Sequence, residues 1–454
     1  MINKEEKLSN KSIDDIKGTD NLGVYNLLSF RKNPLKFLEQ ITDKYGEFVK
    51  FKLGPENVIL VHDPELIKDV FVTNHHKFIK SRGLQMAKIV LGEGLLTSEH
   101  ELHTRQRKMI QPSFSAKKIN YYSEIMTDFT LKYSNSLKNG DEKDISKEMM
   151  SLTLDIVCKA LFDTDVEADT KKLQESLEIL IAMFDEITNP LYYLLKNTPL
   201  PKYKRFYEAK DFVDEIILKM IKERRGNSQD RNDLLSTMLN AQDEDDKKGM
   251  SDNQIKDETL TLFMAGHETT ANLLTWTLYL ISQNSRVEAN IIKEIEQVVG
   301  DRTPNYNDIH NFTYLRKVLT ESMRIYPPAW IIGRINTEEH LLNEYHIPKG
   351  TIFLSSQYIM HRSSKYYKSP LKFIPERWND DRKNDIPKYA YFPFGTGPRV
   401  CIGEQFAWAE GILILSILLK KWRFVLSKEQ KIDVKPLITM RPKYGMKMII
   451  KERD

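Results

Sequence analysis

Residues 394–403 read F-G-T-G-P-R-V-C-I-G and include Cys401, one of only two cysteines in 454 residues. The glycines of this stretch are Gly395, Gly397 and Gly403. Glycine allows a backbone to pass close to a bulky group and to adopt a positive φ. A Leu- and Ile-rich pattern predicts a helix over residues 402–420, so its N–H groups and dipole would favour a thiolate at Cys401. Such a thiolate could bind a metal.

The second cysteine, Cys158, lies in an apolar helical pattern without glycines, and we expect it in the core. A lone cysteine beside a tight turn is most often structural. Cys401 differs because its neighbours form the pattern Phe-x-x-Gly-x-Arg-x-Cys-x-Gly. Two cysteines exclude a disulfide scaffold, an all-cysteine zinc site and a thiolate-held iron–sulfur cluster. Scarce cysteine suits a reducing compartment, and we expect a cytoplasmic protein.

The pattern around Cys401 closely resembles the haem-binding signature of the cytochrome P450 family of haem-thiolate monooxygenases. The resemblance extends over about residues 45–448 and implies a mainly α fold with a small β portion (α+β). It places haem b (iron protoporphyrin IX) between a long central helix and the helix after the cysteine. It makes the Cys401 thiolate the axial iron ligand, with Phe394 shielding the sulfur. We expect one haem domain over residues 1–454, with a polar extension at about residues 1–20 and no fused reductase domain.

A second motif, A-G-H-E-T-T at residues 265–270, interrupts an apolar helical run. Polar groups inside a buried helix are costly unless they are hydrogen-bonded or used. A zinc-protease motif is excluded, because Ala271 stands where H-E-x-x-H needs its second histidine. A helix kinked by threonine hydroxyls that bond back to its own carbonyls is the structural alternative.

In the family this motif lies over the haem and opens a groove in the long helix for dioxygen. The resemblance assigns Thr269 to oxygen activation and Glu268 to the proton relay. It implies that Ala265 and Gly266 give the oxygen room.

A third pair of motifs combines E-S-M-R at residues 321–324 with P-E-R-W at residues 375–378. Glu and Arg at positions i and i+3 share a helix face and can pair. The second segment resembles the family's Pro-Glu-Arg-Phe, with Trp378 in place of Phe. The resemblance implies a buried charge triad of Glu321, Arg324 and Arg377 that fixes the loop carrying the cysteine. Loss of one partner should be severe, because it strands a buried charge.

Basic side chains are expected to bind the haem propionates, since a guanidinium matches a carboxylate well. Arg399 stands two residues before the cysteine, and Arg334 follows a segment where the family often has an arginine. The run L-H-T-R-Q-R at residues 102–107 resembles the family's Trp-x-x-x-Arg helix. His103 replaces its tryptophan, and Arg107 keeps its arginine.

Periodicity predicts the remaining architecture. An alternating run at residues 48–53 and the apolar run 58–61 predict a β-hairpin, and Asp63-Pro64 predicts the start of a helix. Long helices are expected over residues 252–283 and 313–325, and strands over residues 422–426 and near the C-terminus. We expect residues 189–204 to break the helical pattern, and the charged run after residue 242 to be a solvated loop.

Function follows from the resemblance. A hydroxylation or epoxidation of a hydrophobic molecule (fatty acid, terpenoid, steroid or polyketide type) by O2 is expected. We expect these residues to line the substrate pocket: Leu262, Phe263, Ala329, Trp330 and Ile331, together with residues 82–96 and 192–195. Ordinary core packing is the alternative for about half of them.

Electrons should come from separate partners, a ferredoxin or flavodoxin with an NAD(P)H reductase, since no flavin or nicotinamide domain is recognisable. Basic residues could steer an acidic partner: Lys388, Arg399, Arg105 and Lys108. A net charge of +4 is too weak to imply nucleic acid. The polar N-terminus predicts no membrane anchor.

Three alternatives remain open from the sequence. A peroxide-driven or isomerising haem-thiolate enzyme would typically lack the Glu268–Thr269 pair. A haem-binding sensor would need no proton relay and would usually carry an output domain. A helical scaffold with a structural Cys401 would bind no haem at all.

Overall fold

The computed structural model describes residues 11–163, 170–187, 192–196, 198, 200–226, 231–243, 247–380 and 385–453. The chain groups into two compact units, each assembled from separated segments. The first draws on Met1–Arg82, Ala329–Lys372 and Asp381–Cys401. The second draws on Gly83–Pro328, Phe373–Asp380 and Ile402–Asp454. The fold class is the one expected from the sequence, mainly helical with a small β portion.

The first unit is built on a five-stranded mixed sheet. In spatial order its strands are Phe48–Leu53, Glu56–Val61, Ile352–Ser355, Ile332–Asn336 and Phe78–Lys80. A smaller sheet contains Lys11–Ser12, Tyr345–Ile347 and His340–Leu342. The α-helices of this unit are Gly23–Lys32, Pro34–Tyr45, Pro64–Lys68 and Gln357–Met360.

Local sequence signals explain the elements around this sheet. The hairpin pairs Phe48 with Val61 and Leu53 with Glu56, so its tight turn is set by the register of the two strands. The carboxylate of Asp63 accepts hydrogen bonds from the amides of Glu65 and Leu66 at 2.9 and 3.3 Å, with Pro64 in the first turn. The helix then continues directly into a wider π-helical turn, Asp69–Thr73.

The second unit is a helical assembly to which two small sheets are added. Its α-helices are Lys88–Leu91, His100–Ile110, Ala116–Ser136, Ile145–Phe162, Thr170–Ile187, Tyr192–Leu195, Pro201–Gly226, Leu234–Asn240, Asp252–Ser282, Ser285–Val299, Thr313–Ile325 and Glu404–Lys421. The chain enters this unit through the short helix Arg82–Met86. One sheet contains Trp422–Leu426, Lys447–Glu452 and Glu142–Asp144, and the other pairs Val434–Pro436 with Met440–Pro442.

We call Asp252–Ser282 the central helix, because it forms the middle of the second unit's core. Ser251 caps it by accepting a hydrogen bond from the amide of Gln254 at 3.2 Å. Helix Ile145–Phe162 packs along it, and most side chains of both helices are buried. A helix that is apolar on nearly all sides belongs inside a protein, which is where this one lies.

Most of the predicted elements are confirmed. The hairpin, helix Thr313–Ile325 and strand Trp422–Leu426 lie where expected, and Cys158 is buried at 2% exposure. The helix after the cysteine begins at Glu404 rather than residue 402. The predicted non-helical break at residues 189–204 is wrong for Tyr192–Leu195 and for the start of Pro201–Gly226, since a proline at the first helical position is compatible with a helix. The rest of that segment lies partly outside the described residues.

Of the helices in the described part of the chain, none combines the length and the apolar character needed to cross a membrane. The charged run predicted as a loop pairs Gln242 with Gly249 in an isolated bridge, and the central helix begins directly after it. Residues 244–246 of that run lie outside the described residues.

His62 provides a test of the first unit's packing. Its buried ring accepts a hydrogen bond from the amide of Ser356 at 3.1 Å, and burial lowers its pKa to about 3. The folded protein therefore keeps His62 neutral, whereas the unfolded chain takes up a proton near pH 6.5. We expect His62 to cost about 2 kcal/mol of stability at pH 5 relative to pH 7.

The measurement is the unfolding midpoint at both pH values for the parent and His62→Gln. The glutamine amide can still accept a hydrogen bond but does not titrate, so the variant should lose less stability on acidification. Equal losses in the two proteins would contradict this account of His62.

Candidate active site

The loop at residues 394–403, which we call the cysteine loop, is held by its own backbone. The amide of Cys401 donates to the carbonyl of Phe394 at 2.9 Å, and the amide of Val400 donates to the carbonyl of Gly397 at 3.0 Å. Gly395 and Gly397 have φ values of +75° and +69°, which disfavour any residue with a Cβ. A Cβ on Gly397 would lie 2.2 Å from the carbonyl oxygen of Phe71. Glycine is therefore required there by both conformation and space.

The two cysteines lie in opposite environments. Cys401 is exposed at the end of this loop, whereas burial raises the pKa of the Cys158 thiol far above its usual range. A thiol that is exposed and placed before a helix N-terminus can act as a ligand, and a buried neutral thiol cannot. The structure thus separates the two cysteines as the sequence predicted.

Positive charge gathers near the cysteine loop within the first unit. Arg334 is buried at 8% exposure, donates to the carbonyl of Gly333 at 2.9 Å and lies 5.2 Å from the ring of Phe71. Burial lowers the pKa of His75, and the charges of His76, Arg399 and Arg334 lower it further. Arg334 and Arg399, both predicted from the sequence, therefore lie near the same histidine. A cluster of this kind suits carboxylate groups of a ligand.

His75 was not predicted from the sequence. It lies in N-H-H-K at residues 74–77, which reads as a polar turn, and no local signal connects it with arginines hundreds of residues later. Only the pairing of strand Phe78–Lys80 with Ile332–Asn336 brings that turn beside Arg334.

Part of the predicted threonine motif on the central helix is exposed. Ala265 is exposed and Gly266 and Thr269 are half-buried, although their neighbours on the helix are buried. The hydroxyl of Thr269 donates to the carbonyl of Ala265 at 2.7 Å. The helix continues through the motif as one element, and the Thr269 hydroxyl bonds back to a carbonyl one turn earlier, as serine and threonine hydroxyls in helices can do.

His267 belongs to the support of this helix. Its Nδ1 donates to the carbonyl of Phe263 at 2.6 Å, and burial lowers its pKa. The hydroxyl of Thr153 donates to the carbonyl of His267 at 3.0 Å. A side chain of the neighbouring helix therefore satisfies a backbone group of the motif itself.

Glu268 is buried and bound by a distant segment. It accepts hydrogen bonds from Thr439 at 2.5 Å and from the Nε of Arg441 at 2.6 Å. Asn272, one turn further along the central helix, donates to the same Thr439 hydroxyl at 2.9 Å. Strand Met440–Pro442 thus holds the acidic residue of the motif in one position.

Glu410 is a buried acid that the sequence reasoning missed. It is fully buried in helix Glu404–Lys421, and neither of its oxygens has a hydrogen-bond partner of regular geometry within the described residues. Burial raises its pKa to about 8, while the nearby hydroxyl of Thr270 has a smaller, lowering effect. Its position in an otherwise apolar Leu- and Ile-rich helix was the available signal, because an unpaired acid in such a face is costly.

The predicted charge triad is present within the second unit. Glu321 is fully buried and accepts from the Nε and Nη2 of Arg324 at 2.8 and 2.9 Å. It also accepts from the amide of Ile374 at 3.0 Å and the Nε of Arg377 at 3.3 Å. The indole of Trp378 adds a further hydrogen bond at 2.9 Å. The E-x-x-R helix and the P-E-R segment therefore meet as predicted.

The remaining candidates are placed but not assigned by the structure. His103 is buried and Arg107 half-buried on helix His100–Ile110, and Gly403 caps the helix after the cysteine loop. Phe263 packs against Phe162 with ring centroids 4.4 Å apart, which is a core contact. Leu262 and Trp330 are buried, while Ala329 and Ile331 are half-buried. Their roles at haem or substrate stay predictions.

The comparisons with known proteins agree with this site. A family model described as Cytochrome P450 matches residues 19–448. The chain belongs to the cytochrome P450 family. It is 34% identical to a cyclooctatin synthase of Streptomyces melanosporofaciens over 92% of this chain and 91% of that protein. It is 31% identical to a pentalenene oxygenase of Streptomyces avermitilis, over 89% of this chain and 90% of that protein.

Cytochromes P450 hold a haem, and the residues of this P450 fit one. The exposed Cys401 sulfur can reach an iron, and the positive cluster with Arg334 and Arg399 suits two propionates. In the second unit, the central helix exposes Ala265, whose side chain is only a methyl group, while most of its neighbours on the helix are buried. The enzyme is a monooxygenase, as its relatives' names also state: one is a cyclooctat-9-en-7-ol 5-monooxygenase, 33% identical over 86% of this chain and 85% of that protein.

Glu410 makes the stability of this P450 depend on pH in a defined direction. Since its pKa is raised from 4.5 to about 8 by folding, the folded state holds a proton that the unfolded chain releases. The stabilisation that this retained proton gives to the folded state is fully present below pH 4.5 and is lost as the pH rises to 8. The loss is on the order of 3–4 kcal/mol between pH 5 and pH 8.

We expect Glu410→Gln to remove this loss. The thermal midpoint of the variant, relative to that of the parent, should rise as the pH rises from 5 to 8. A constant offset between the two midpoints, present in addition to this rise, does not affect the test. Ser416→Ala, which changes a buried side chain of the same helix that does not titrate between pH 5 and pH 8, is the matched control and should show no such trend. A difference for Glu410→Gln that stays constant with pH would contradict a neutral buried acid.

Proposed function

We propose that this P450 hydroxylates or epoxidises a terpenoid, and that the Cys401 thiolate would hold the iron of haem b. The observation that carries the proposal is the exposed Cys401 sulfur on a glycine-shaped loop whose pattern is that of the family. The relatives named for cyclooctatin and pentalenene support a terpenoid over the fatty acid, steroid and polyketide types. The apolar character of the expected pocket residues agrees with such a substrate.

Bound haem would activate dioxygen and insert one of its oxygen atoms into the substrate. The protein's part is to hold, orient and exclude water. Cys401 would bind the iron through its thiolate, and Arg334 and Arg399 would bind the propionates. Phe394, whose carbonyl accepts from the Cys401 amide, would keep water from the sulfur.

Proton movement would depend on the threonine motif. The Thr269 hydroxyl donates to the Ala265 carbonyl and can turn to donate to a ligand beside the exposed Ala265. Arg441 and Thr439 hold the carboxylate oxygen of Glu268 in place, and Glu268 directly precedes Thr269 in the chain. Glu410, which holds its proton near neutral pH beside Thr270, would act as a proton store behind this motif.

Electrons would come from a separate ferredoxin or flavodoxin with its NAD(P)H reductase. Among the four predicted basic residues, Arg105 pairs with Asp243 at 3.3 Å and also donates to the carbonyl of Lys248. Lys108 and Lys388 are exposed, so these two side chains are the better candidates for steering an acidic partner.

The ligand assignment is tested by Cys401→Ser beside Cys158→Ala. The parent should bind haem and show the strongly red-shifted Soret band of thiolate ligation in its reduced, CO-bound difference spectrum. We expect Cys401→Ser to lose this band completely, and Cys158→Ala to keep it, because that thiol is buried and neutral. An unchanged band in Cys401→Ser would overturn the proposal.

The substrate assignment is tested by titrating the purified holoenzyme with compounds of each class. A terpene hydrocarbon or alcohol that displaces iron-bound water should convert the haem to the high-spin state at lower concentrations than a fatty acid or a steroid. We expect at least tenfold tighter binding, equivalent to about 1.4 kcal/mol. Tighter binding of a fatty acid would replace the terpenoid proposal.

A further inference from the structure

The π-helical turn, Asp69–Thr73, supports two parts of the candidate site through a single residue, Phe71. The Phe71 ring is buried at 1% exposure, and the guanidinium of Arg334 lies 5.2 Å from it. The Phe71 carbonyl lies against Gly397 of the cysteine loop, so closely that any Cβ on this glycine would clash with it. All of these residues belong to the first unit. A displacement of the turn would therefore move the surface on which both Arg334 and the cysteine loop rest.

Asp69 closes this turn with its backbone and with its side chain. The amide of Asn74 donates to the Asp69 carbonyl at 2.9 Å, which is the i to i+5 hydrogen bond of a π-helix. The side-chain amide of Asn74 donates to Oδ2 of Asp69 at 3.0 Å. Asp69 therefore holds the two ends of the turn together, and its other carboxylate oxygen, Oδ1, is bound from outside the turn.

The group that binds Oδ1 is the imidazole of His340, in strand His340–Leu342 of the smaller sheet. Its Nε2 lies 2.6 Å from Oδ1. Because a carboxylate oxygen can only accept, Nε2 carries the hydrogen and donates it. The ring is buried at 3% exposure and packs edge-on against Phe78, with ring centroids 5.1 Å apart. Hydrogen bonds to ionised groups are roughly twice as strong as neutral ones, so this bond ties the turn firmly to the sheet.

We propose that His340 is a positioning residue for the haem site. By binding Asp69 it fixes the π-helical turn, and the fixed turn holds the cysteine loop and Arg334 in place. His340 lies 271 residues after Asp69 in the chain, so no local motif connects the two. In this proposal His340 touches neither substrate nor cofactor. Its effect on the iron rests on the proposed ligation by Cys401, whereas its effect on the turn and the loop does not.

The test compares the parent holoenzyme with two substitutions of His340. His340→Phe keeps an aromatic ring beside Phe78 and removes the donor to Asp69. His340→Gln keeps a donor, because the side-chain amide of glutamine reaches about as far from the backbone as Nε2 of histidine.

Two control variants lie in the same unit. His346→Phe removes another histidine–carboxylate pair of the smaller sheet, in which Nδ1 of His346 lies 2.9 Å from Glu339 and the acceptor is outside the turn. Leu38→Ala leaves a cavity in helix Pro34–Tyr45, where Leu38 is fully buried, and so lowers stability without touching the His340–Asp69 pair.

Three quantities are measured on each holoenzyme: hydrogen exchange at the amides of Asn74, Val400 and Cys401, the rate of haem loss to excess apomyoglobin, and the fraction of the reduced CO complex that shows the thiolate band. For His340→Phe we expect exchange and haem loss to be about tenfold faster, with part of the CO complex moved to the thiol band. His340→Gln should return all three quantities towards the parent. His346→Phe and Leu38→Ala should leave them at parental values.

Parental exchange at Cys401 in His340→Phe would overturn the proposal, even if Asn74 exchanged faster, because the turn and the loop would then be uncoupled. The same changes in Leu38→Ala would overturn it too, since they would reflect general destabilisation. If His340→Phe does not accumulate as a holoenzyme, His340→Asn takes its place under the same criteria, because its amide is too short to reach Oδ1. A parent without the thiolate band would refute the ligation by Cys401, while the exchange rates would still decide the role of His340.

Discussion

The buried carboxylate of Glu321 is the interaction on which the second unit's arrangement depends. A fully buried negative charge is tolerated only when donors surround it, and here two arginines, one backbone amide and one indole do so. These donors come from two chain segments separated by some fifty residues. The charge therefore links a regular helix to an irregular segment that has little secondary structure of its own.

Three buried acids of this protein differ in the number of donors that surround them. Glu321 has the fullest set, Glu268 has a hydroxyl and a guanidinium, and Glu410 has no partner of regular geometry within the described residues. A well-solvated or well-paired carboxylate stays charged, and an unpaired one takes a proton. At the unpaired end of this series, burial raises the pKa of Glu410 to about 8.

The sequence predicted those parts of the site that are written in short runs of residues. The cysteine loop, the A-G-H-E-T-T motif and the E-x-x-R helix were found because glycines, polar interruptions and i, i+3 pairs leave local signals. The partners of Glu268 could not be found in this way. Thr439 lies 171 residues further along the chain, in the bend just before strand Met440–Pro442, where no motif marks it.

Local backbone conformation and spatial neighbours were harder to predict from the sequence than the motif residues of the site. The sequence predicts a break in the helical pattern over residues 189–204, but Pro201 stands at the first position of Pro201–Gly226, where its missing N–H is no loss. His75 and Glu410 were missed for a related reason. Their chemistry depends on groups brought near by strand pairing and helix packing, and periodicity contains no information about those distances.

The contact between Gly397 and the Phe71 carbonyl has a consequence for how this enzyme can change over evolution. The cysteine loop packs against a π-helical turn, so its shape depends on residues outside the predicted set of site residues. Sequence drift in that turn would displace the loop that carries Cys401, the proposed iron ligand. Colour and redox behaviour could therefore diverge between relatives whose catalytic motifs are letter-for-letter the same.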